Sequence, residues 1–519
     1  MHNKKKYLYG LIGIVAVLML LNFGINRWLA AKLPEIIEEK TQYAFKFEEL
    51  NVSVFSGSIA IKGINAHSKT DSLDPKASYA TARIGQLDIN GINFFKYLTS
   101  KDISIASVII SNPEIVFFKS SIKEKDSLQH QEKMDNSILI KTIKIIKGDF
   151  QLKERTSTIT SVKSQSIVHL NAVDFSVEEV VVSATTVAEK IPFSYKKLAL
   201  AIKAFEYHPS EVYVVRAKKF ALSNKSLSLD SLEFKPKISK NQFINQLQTE
   251  KDLYDISTQS IVIKDWNWGS IAGDLFVKTP LIEVNAVEAT ILRSKIPEDD
   301  TTKKPLYSKL LRELPFYLEI EKLALKSSTL IYEEEIVKDE VGKLSFSMFD
   351  ATILNVNSGY KKTKLPDTEL DINCIFMHES ELKVKWSFNA MDKTEHFKIK
   401  GSIYNYDLEQ TTPFLKPRMH LSAEGRAQEI AFNFAGSDIT GTGDFMINYD
   451  DLKITFYKKN LREKNILKGF LASIVVKSSS KGEQKEVEIN PVTRKQDRSF
   501  FNFFWSCILQ GLEQTILGV

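Results

Sequence analysis

Two cysteines in 519 residues exclude a disulfide-stapled scaffold and a cysteine-rich zinc module. Only 21 glycines and 14 prolines exclude collagen-like and low-complexity chains. Charge of one sign is also missing. Seventy Lys and Arg face 64 Asp and Glu, and a net charge of +6 over so long a chain gives no basis for nucleic-acid binding. No phosphate-cradling loop is present, because Gly441-Thr442-Gly443 runs into the carboxylate of Asp444 and lacks the Lys-Ser/Thr of a P-loop. His-Glu-x-x-His and Gly-x-Ser-x-Gly are absent as well. Among the eight histidines His378 is followed by two carboxylates, Glu379 and Glu381, which reads as a solvated turn. Glu333, Glu334 and Glu335 read as a charged strand exit, and Trp266 and Trp268 as neighbours on one strand face. No catalytic residue, metal site or cofactor is expected, and the chain does not read as an enzyme.

What is present is apolar surface: 43% hydrophobic residues, with 32 Phe and 17 Tyr. Residues 7–25 form an apolar run interrupted only by Gly10, Gly13, Asn22 and Gly24, and Lys4, Lys5 and Lys6 precede it. At 1.5 Å per residue such a run spans roughly 28 Å, enough for a bilayer core. The flanking lysines predict a cytoplasmic N-terminus and an exported body. Residues 1–28 thus read as cytoplasmic tip and transmembrane signal anchor, with Trp28 at the membrane interface, although a cleaved signal peptide is the competing reading. Residues 29–44 read as a membrane-proximal helix or stalk.

From about residue 45 the pattern changes to a period of two, the mark of half-buried strands. One unit recurs: two alternating apolar residues, a small or polar break, then two more. Ile143, Ile145, Phe150 and Leu152 form one copy, and Leu323, Leu325, Leu330 and Tyr332 match it position for position. A bulge or tight turn at the break keeps one face apolar on both sides. Residues 45–498 therefore read as a mainly β, elongated, curled antiparallel body. Polar loops are expected at 120–137, 297–304 and 478–486, and a short helix from Tyr307 to Leu314, stopped by Pro315. With few helices to cover it, the sheet must curl into a trough with an apolar channel or into a filled sandwich. In the trough, the eight residues of the two copies line the floor; in the sandwich, they are core.

At the C-terminus Ser499 is placed to cap a helix through 499–519. Phe501, Phe504, Trp505, Ile508 and Leu512 share one face of it. The preceding residues 452–498 hold 12 Lys and Arg against 5 Asp and Glu. An aromatic amphipathic helix after a basic stretch suits a membrane interface; a helix closing the end of the β structure is the alternative.

Four stretches taken in order carry a resemblance: residues 47–54 with 57–64, residues 103–117 around Asn112-Pro113, residues 314–321 leading into 323–334, and residues 441–454 followed by 497–502. The chain resembles the AsmA-like family of Gram-negative envelope proteins, in its Bacteroidota branch. The resemblance implies a taco-like β groove anchored in the inner membrane, with its body in the periplasm. It further implies a role in outer-membrane biogenesis and envelope maintenance, in which the groove holds or conducts phospholipid acyl chains, and no catalytic residues. Two other readings stand beside it. One is a structural envelope protein or assembly factor that docks outer-membrane protein machinery. The other is a periplasmic enzyme acting on glycan or lipid.

Overall fold

The structure is a computed structural model that describes residues 2–70, 77–120, 136–158, 161–187, 192–271, 273–337, 340–458, 479–480 and 485–517, with backbone alone for 2–18, 20, 21, 155–158, 161–164 and 517. The expected loop at 120–137 falls almost wholly outside these residues, as does most of 478–486. Strands dominate, so the protein is mainly β. The chain divides into two compact units: residues 1–209 with 215–224, and residues 210–214 with 225–519.

The first unit opens on helix α1 (His2–Lys40), which passes through Pro34. Strands β1 (Tyr43–Lys46) and β2 (Glu49–Ser53) both pair with β3 (Ser58–Ser68). The sheet then runs through β4 (Tyr79–Asn90), β5 (Ile103–Lys119), β6 (Ile138–Thr158), β7 (Ser161–Val182) and β8 (Lys197–Tyr207). Strands β9 (Tyr213–Ala217) and β10 (Lys219–Ser223) finish it against β8. Short helices α2 (Phe94–Ser100) and α3 (Ala184–Val187) fill two connections.

The second unit starts with β11 (Ser226–Pro236), helix α4 (Lys240–Asn245), β12 (Asp252–Lys264), β13 (Asn267–Ile271) and β14 (Asp274–Ser294). After helix α5 (Tyr307–Arg312) come β15 (Tyr317–Val337), β16 (Glu340–Asn357), β17 (Thr368–Phe376), β18 (Ser380–Phe388) and β19 (Phe397–Asp407). Helix α6 (Thr412–Met419) precedes β20 (Leu421–Gly436), β21 (Thr440–Phe456) and β22 (Lys485–Thr493), and α7 (Phe500–Leu512) closes the fold. The expected cap at Ser499 is formed, its hydroxyl accepting from the Asn502 N–H at 3.3 Å.

The expectation of antiparallel pairing throughout is corrected at two places. β5 pairs in parallel with β6, and β14 with β15. Both pairs are joined by long crossings, residues 120–137 and 295–316, and a connection that returns to the starting end of a sheet makes its next strand parallel. The helix at Tyr307 is one such crossing.

The break in the repeated sequence unit is a β-bulge inside one continuous strand. In β6, Lys147 takes a left-handed φ of 54° and the ladder to β7 slips between Ile145 and Gly148. In β15, Ser327 (φ 52°) does the same between Leu325 and Ser328. The extra residue flips side-chain parity, so the apolar residues on both sides of the break share a face. Gly148 demonstrates it: a Cβ there would lie 2.5 Å from the Phe150 ring and 3.1 Å from Ile145. Neighbouring strands bulge at the same level, with positive φ at Gly63, Asn112, Lys147 and Ala172 in β3, β5, β6 and β7, and at Ser231, Ala286, Ser327 and Met348 in β11, β14, β15 and β16. Each unit therefore carries a crease running across its strands, which sharpens local twist and bends the sheet.

Candidate functional site

In the first unit, strand register stacks the apolar residues into rows. One row runs Ile61, Leu87, Ile110, Ile145, Phe175, Leu200 and Leu222 over seven strands. Beyond the crease another runs Ala66, Ala82, Ile115, Phe150, Leu170, Phe205 and Ala217. Ile143 sits between Val108 and Val177, and Leu152 between Phe117 and Val168. All four floor residues proposed on β6 thus lie on one continuous apolar face. Near the crease Ile64, Val173 and Ile202 are buried, whereas Ile143, Ile145, Phe150 and Leu152 are only half-buried. Helices α2 and α3 bury no side chain, and α1 lies along β1 and β2. The opposite face is polar: Asp149 accepts hydrogen bonds from Gln151 at 3.0 Å and from His169 and Asn171 at 2.9 Å each.

The second copy builds the same face in the second unit. Leu323 lies between Ile282 and Ile353, Leu325 between Val284 and Ala351, Leu330 between Ala289 and Phe346, and Tyr332 between Ile291 and Leu344. All four are half-buried. Two residues past Tyr332 the row turns to Asp252, Arg293 and Glu334. Arg293 clamps Asp252 through two hydrogen bonds of 2.6 and 2.8 Å, and Arg418 of α6 donates to both oxygens of the buried Glu334 at 2.6 Å. The Tyr332 hydroxyl donates to Glu334 at 3.2 Å and the Tyr254 hydroxyl to Asp252 at the same distance. Burial first and the adjacent Asp252 second push the Tyr254 hydroxyl up to about 12. These charges neutralise one another and end the apolar face. The Glu333–Glu335 run, read from sequence as a charged strand exit, in fact buries Glu334 and Glu335; its signal was the distant Arg418, which sequence spacing does not connect to it.

The C-terminal strands present the same face but cover it. Phe388, Phe397, Phe432, Phe434, Phe445 and Ile447 are buried there beneath Phe500, Phe503 and Cys507 of α7. The stripe expected to meet a membrane is corrected accordingly: Phe504, Ile508 and Leu512 pack against this core, and Trp505 stands edge-on to Phe414 at 6.0 Å. The aromatic sheet face gives the helix an apolar partner, and of the stripe only Phe501 is exposed, at 60%. The two thiols, Cys374 and Cys507, are buried and free, their pKa values pushed by burial up to about 12 and about 11.

Among the described residues no group of three His, Cys, Asp or Glu side chains could hold a metal ion, and no helix is long and apolar enough to cross a membrane. Most of the apolar run 7–25 lies outside the described side chains, although its backbone belongs to α1. Trp28 is 60% exposed on that helix. Sequence reading missed the reason for Asn22 within the run. Its carboxamide oxygen accepts from the Val54 N–H at 3.2 Å, and Asn26 donates to the Val52 carbonyl at 2.7 Å and accepts from the Val52 N–H. The two asparagines thus bond backbone groups of edge strand β2 and of the turn that follows it. No family model matches the chain, and no curated protein matches it.

Proposed function

We propose that this is an inner-membrane-anchored protein whose body lies in the periplasm and whose apolar sheet face binds and conducts phospholipid acyl chains in outer-membrane biogenesis and envelope maintenance. The observation that carries the reading is the register of the first unit, where row after row is apolar across six or seven strands yet its β6 residues remain half-buried. A face of that breadth left to water is unfavourable at roughly 25 cal/mol per Å² of apolar surface, so a flexible apolar ligand has reason to occupy it. Acyl chains suit such a floor because they need no directional bonds, while head groups stay hydrated at its margin. The mechanism is passive: chains slide along the rows, with direction set by lipid supply and demand or by partner proteins. The run at 7–25 supplies the anchor, with Lys4–Lys6 holding the N-terminus in the cytoplasm.

Native mass spectrometry of the detergent-extracted full chain tests the reading. Co-purified phospholipid that disappears in an Ile145→Asp/Phe150→Asp variant is the expected result; a wild-type chain free of lipid overturns it. An alkaline phosphatase fusion after residue 60 should be active, and an inactive one in a secretion-competent strain reverses the orientation.

A further inference from the structure

One end of the first unit's sheet gathers a cluster of exposed apolar side chains at its loop tips. The turn between β2 and β3 holds Phe55, 65% exposed. Helix α2, between β4 and β5, holds Phe94 at 45%, Phe95 at 77%, Tyr97 at 48% and Leu98 at 70%. Phe193, at 38%, precedes β8 on the same edge, held there by the bridge from Ser194 to Val181 at the end of β7. Such residues at solvated loop tips contribute nothing to the core, since α2 buries no side chain at all.

The placement is built into the local backbone. Gly57 (φ 61°) turns the chain so that its carbonyl accepts from the Ile92 N–H at 2.9 Å, and a Cβ there would lie 2.4 Å from the Ile92 carbonyl oxygen. That contact holds the Phe55 turn beside the start of α2. Asn93 caps α2, its side chain accepting from the Lys96 N–H at 2.9 Å, and Lys101 ends it in a left-handed conformation with its ammonium 5.3 Å from the Tyr97 ring centre. The phenylalanines are thus held outward on ordered backbone with Lys96 and Lys101 among them. At this same edge Asn22 and Asn26 of α1 grip Val52 and Val54, next to the Phe55 turn. The apolar run ends at that level, and Met19 and Phe23 of α1 are 68% and 65% exposed beside it.

From these positions we infer that this rim is a membrane-docking surface: Phe55, Phe94, Phe95 and Leu98 insert into the interface of the bilayer that α1 enters, with Lys96 and Lys101 against anionic head groups. Aromatic and aliphatic tips flanked by lysines are the composition such an interface selects. The inference rests on the anchor reading of α1 and adds to it that the sheet stands with its α2 end in the headgroup layer, so an acyl chain leaving the bilayer meets the apolar rows directly.

The test uses the full chain reconstituted in vesicles of phosphatidylethanolamine and phosphatidylglycerol. A nitrobenzoxadiazole label is placed on Phe95→Cys, on Leu98→Cys, or on Met348→Cys, a residue 72% exposed in the other unit. The native thiols are buried and leave the introduced one to react. Labels at 95 and 98 should be quenched by doxyl groups on lipid chains and shielded from aqueous iodide, while the label at 348 shows the reverse. Iodide quenching at 95 and 98 in protein that floats with the vesicles overturns the docking surface. Protein that does not float overturns the anchor reading instead. In a Phe94→Ser/Phe95→Ser/Leu98→Ser background, a reporter on Phe55→Cys should become accessible to iodide; a reporter that stays shielded shows that Phe55 is covered by protein and overturns the assignment.

Discussion

The sheet of the first unit and the C-terminal sheet beneath α7 use the same grammar and reach opposite ends. Both alternate apolar and polar residues in register. The first is lined by Ile, Val, Leu, Ala and several Phe, among them Phe150, Phe175 and Phe205, and leaves its β6 floor residues half-buried. The second is lined by Phe and closes over them: Phe445 and Tyr449 are 0% exposed, and Phe500 stacks on Trp386 at 4.4 Å. What differs is a partner. Helix α7 brings Phe500, Phe503 and Cys507 onto its sheet, and Gly511 allows close approach, since a Cβ there would lie 2.3 Å from Phe445. The same alternation thus yields a face covered by the chain's own helix in one place and a face left half-buried in the other.

The largest effect should come from the covered face. Phe445→Asp places a carboxylate in a filled, aromatic site without a partner, a change of the class that costs more than about 4 kcal/mol. The expected outcome is loss of the folded C-terminal strands, read as a collapsed thermal melt and rapid proteolysis of that half. A variant that melts like wild type would mean that α7 does not cover the face.

Next comes the polar end of the second unit's apolar face. Arg418→Ala leaves Glu334 buried beside Tyr332, and removing one partner of such a pair costs about 3–5 kcal/mol. Arg418→Met combined with Glu334→Leu should recover most of it in urea unfolding. If the single variant shows less than a third of that loss, the pair is effectively solvated and does not close the face.

These two sites also mark what sequence could and could not reveal. The 143–152 and 323–332 copies were legible because strand period and the polar break are local patterns, and both proved to be single bulged strands with one apolar face. The Tyr307 helix and Ser499 cap were legible for the same reason. The parallel pairs were not, since the direction of a returning strand depends on a crossing that propensity does not record. Nor was the covering of the C-terminal face: the stripe Phe504, Ile508 and Leu512 has the same spacing whether it meets lipid or a sheet. Arg418 and Glu334 are 84 residues apart, and only the fold pairs them.

A smaller effect is expected at the crease. Ser327 is held at φ 52° while its N–H donates to Asp350 at 2.7 Å. A left-handed residue costs roughly 1–2 kcal/mol, and β-branching adds to that. Ser327→Gly should therefore raise the unfolding midpoint and Ser327→Val should lower it. Equal midpoints would show that the bulge relaxes freely and that the crease does not depend on the conformation of this residue.

The smallest effect on stability, and the most telling, belongs to the open face. In Ile145→Asp the new carboxylate stands on a half-buried row between Ile110 and Phe175. Where the face is open, the carboxylate keeps most of its water, and the loss is limited to one side chain's partial burial, about 1 kcal/mol. The melt should shift by a few degrees at most while bound phospholipid falls sharply. The contrast with Phe445→Asp is the measurement that matters, because both variants place the same charge on an apolar strand row. Comparable collapse in both would show that the first unit's face is also a filled core and would remove the floor on which acyl chains are proposed to lie. An unchanged melt with unchanged lipid would place the bound chains away from β6, leaving rows nearer β3 or β8 to carry them.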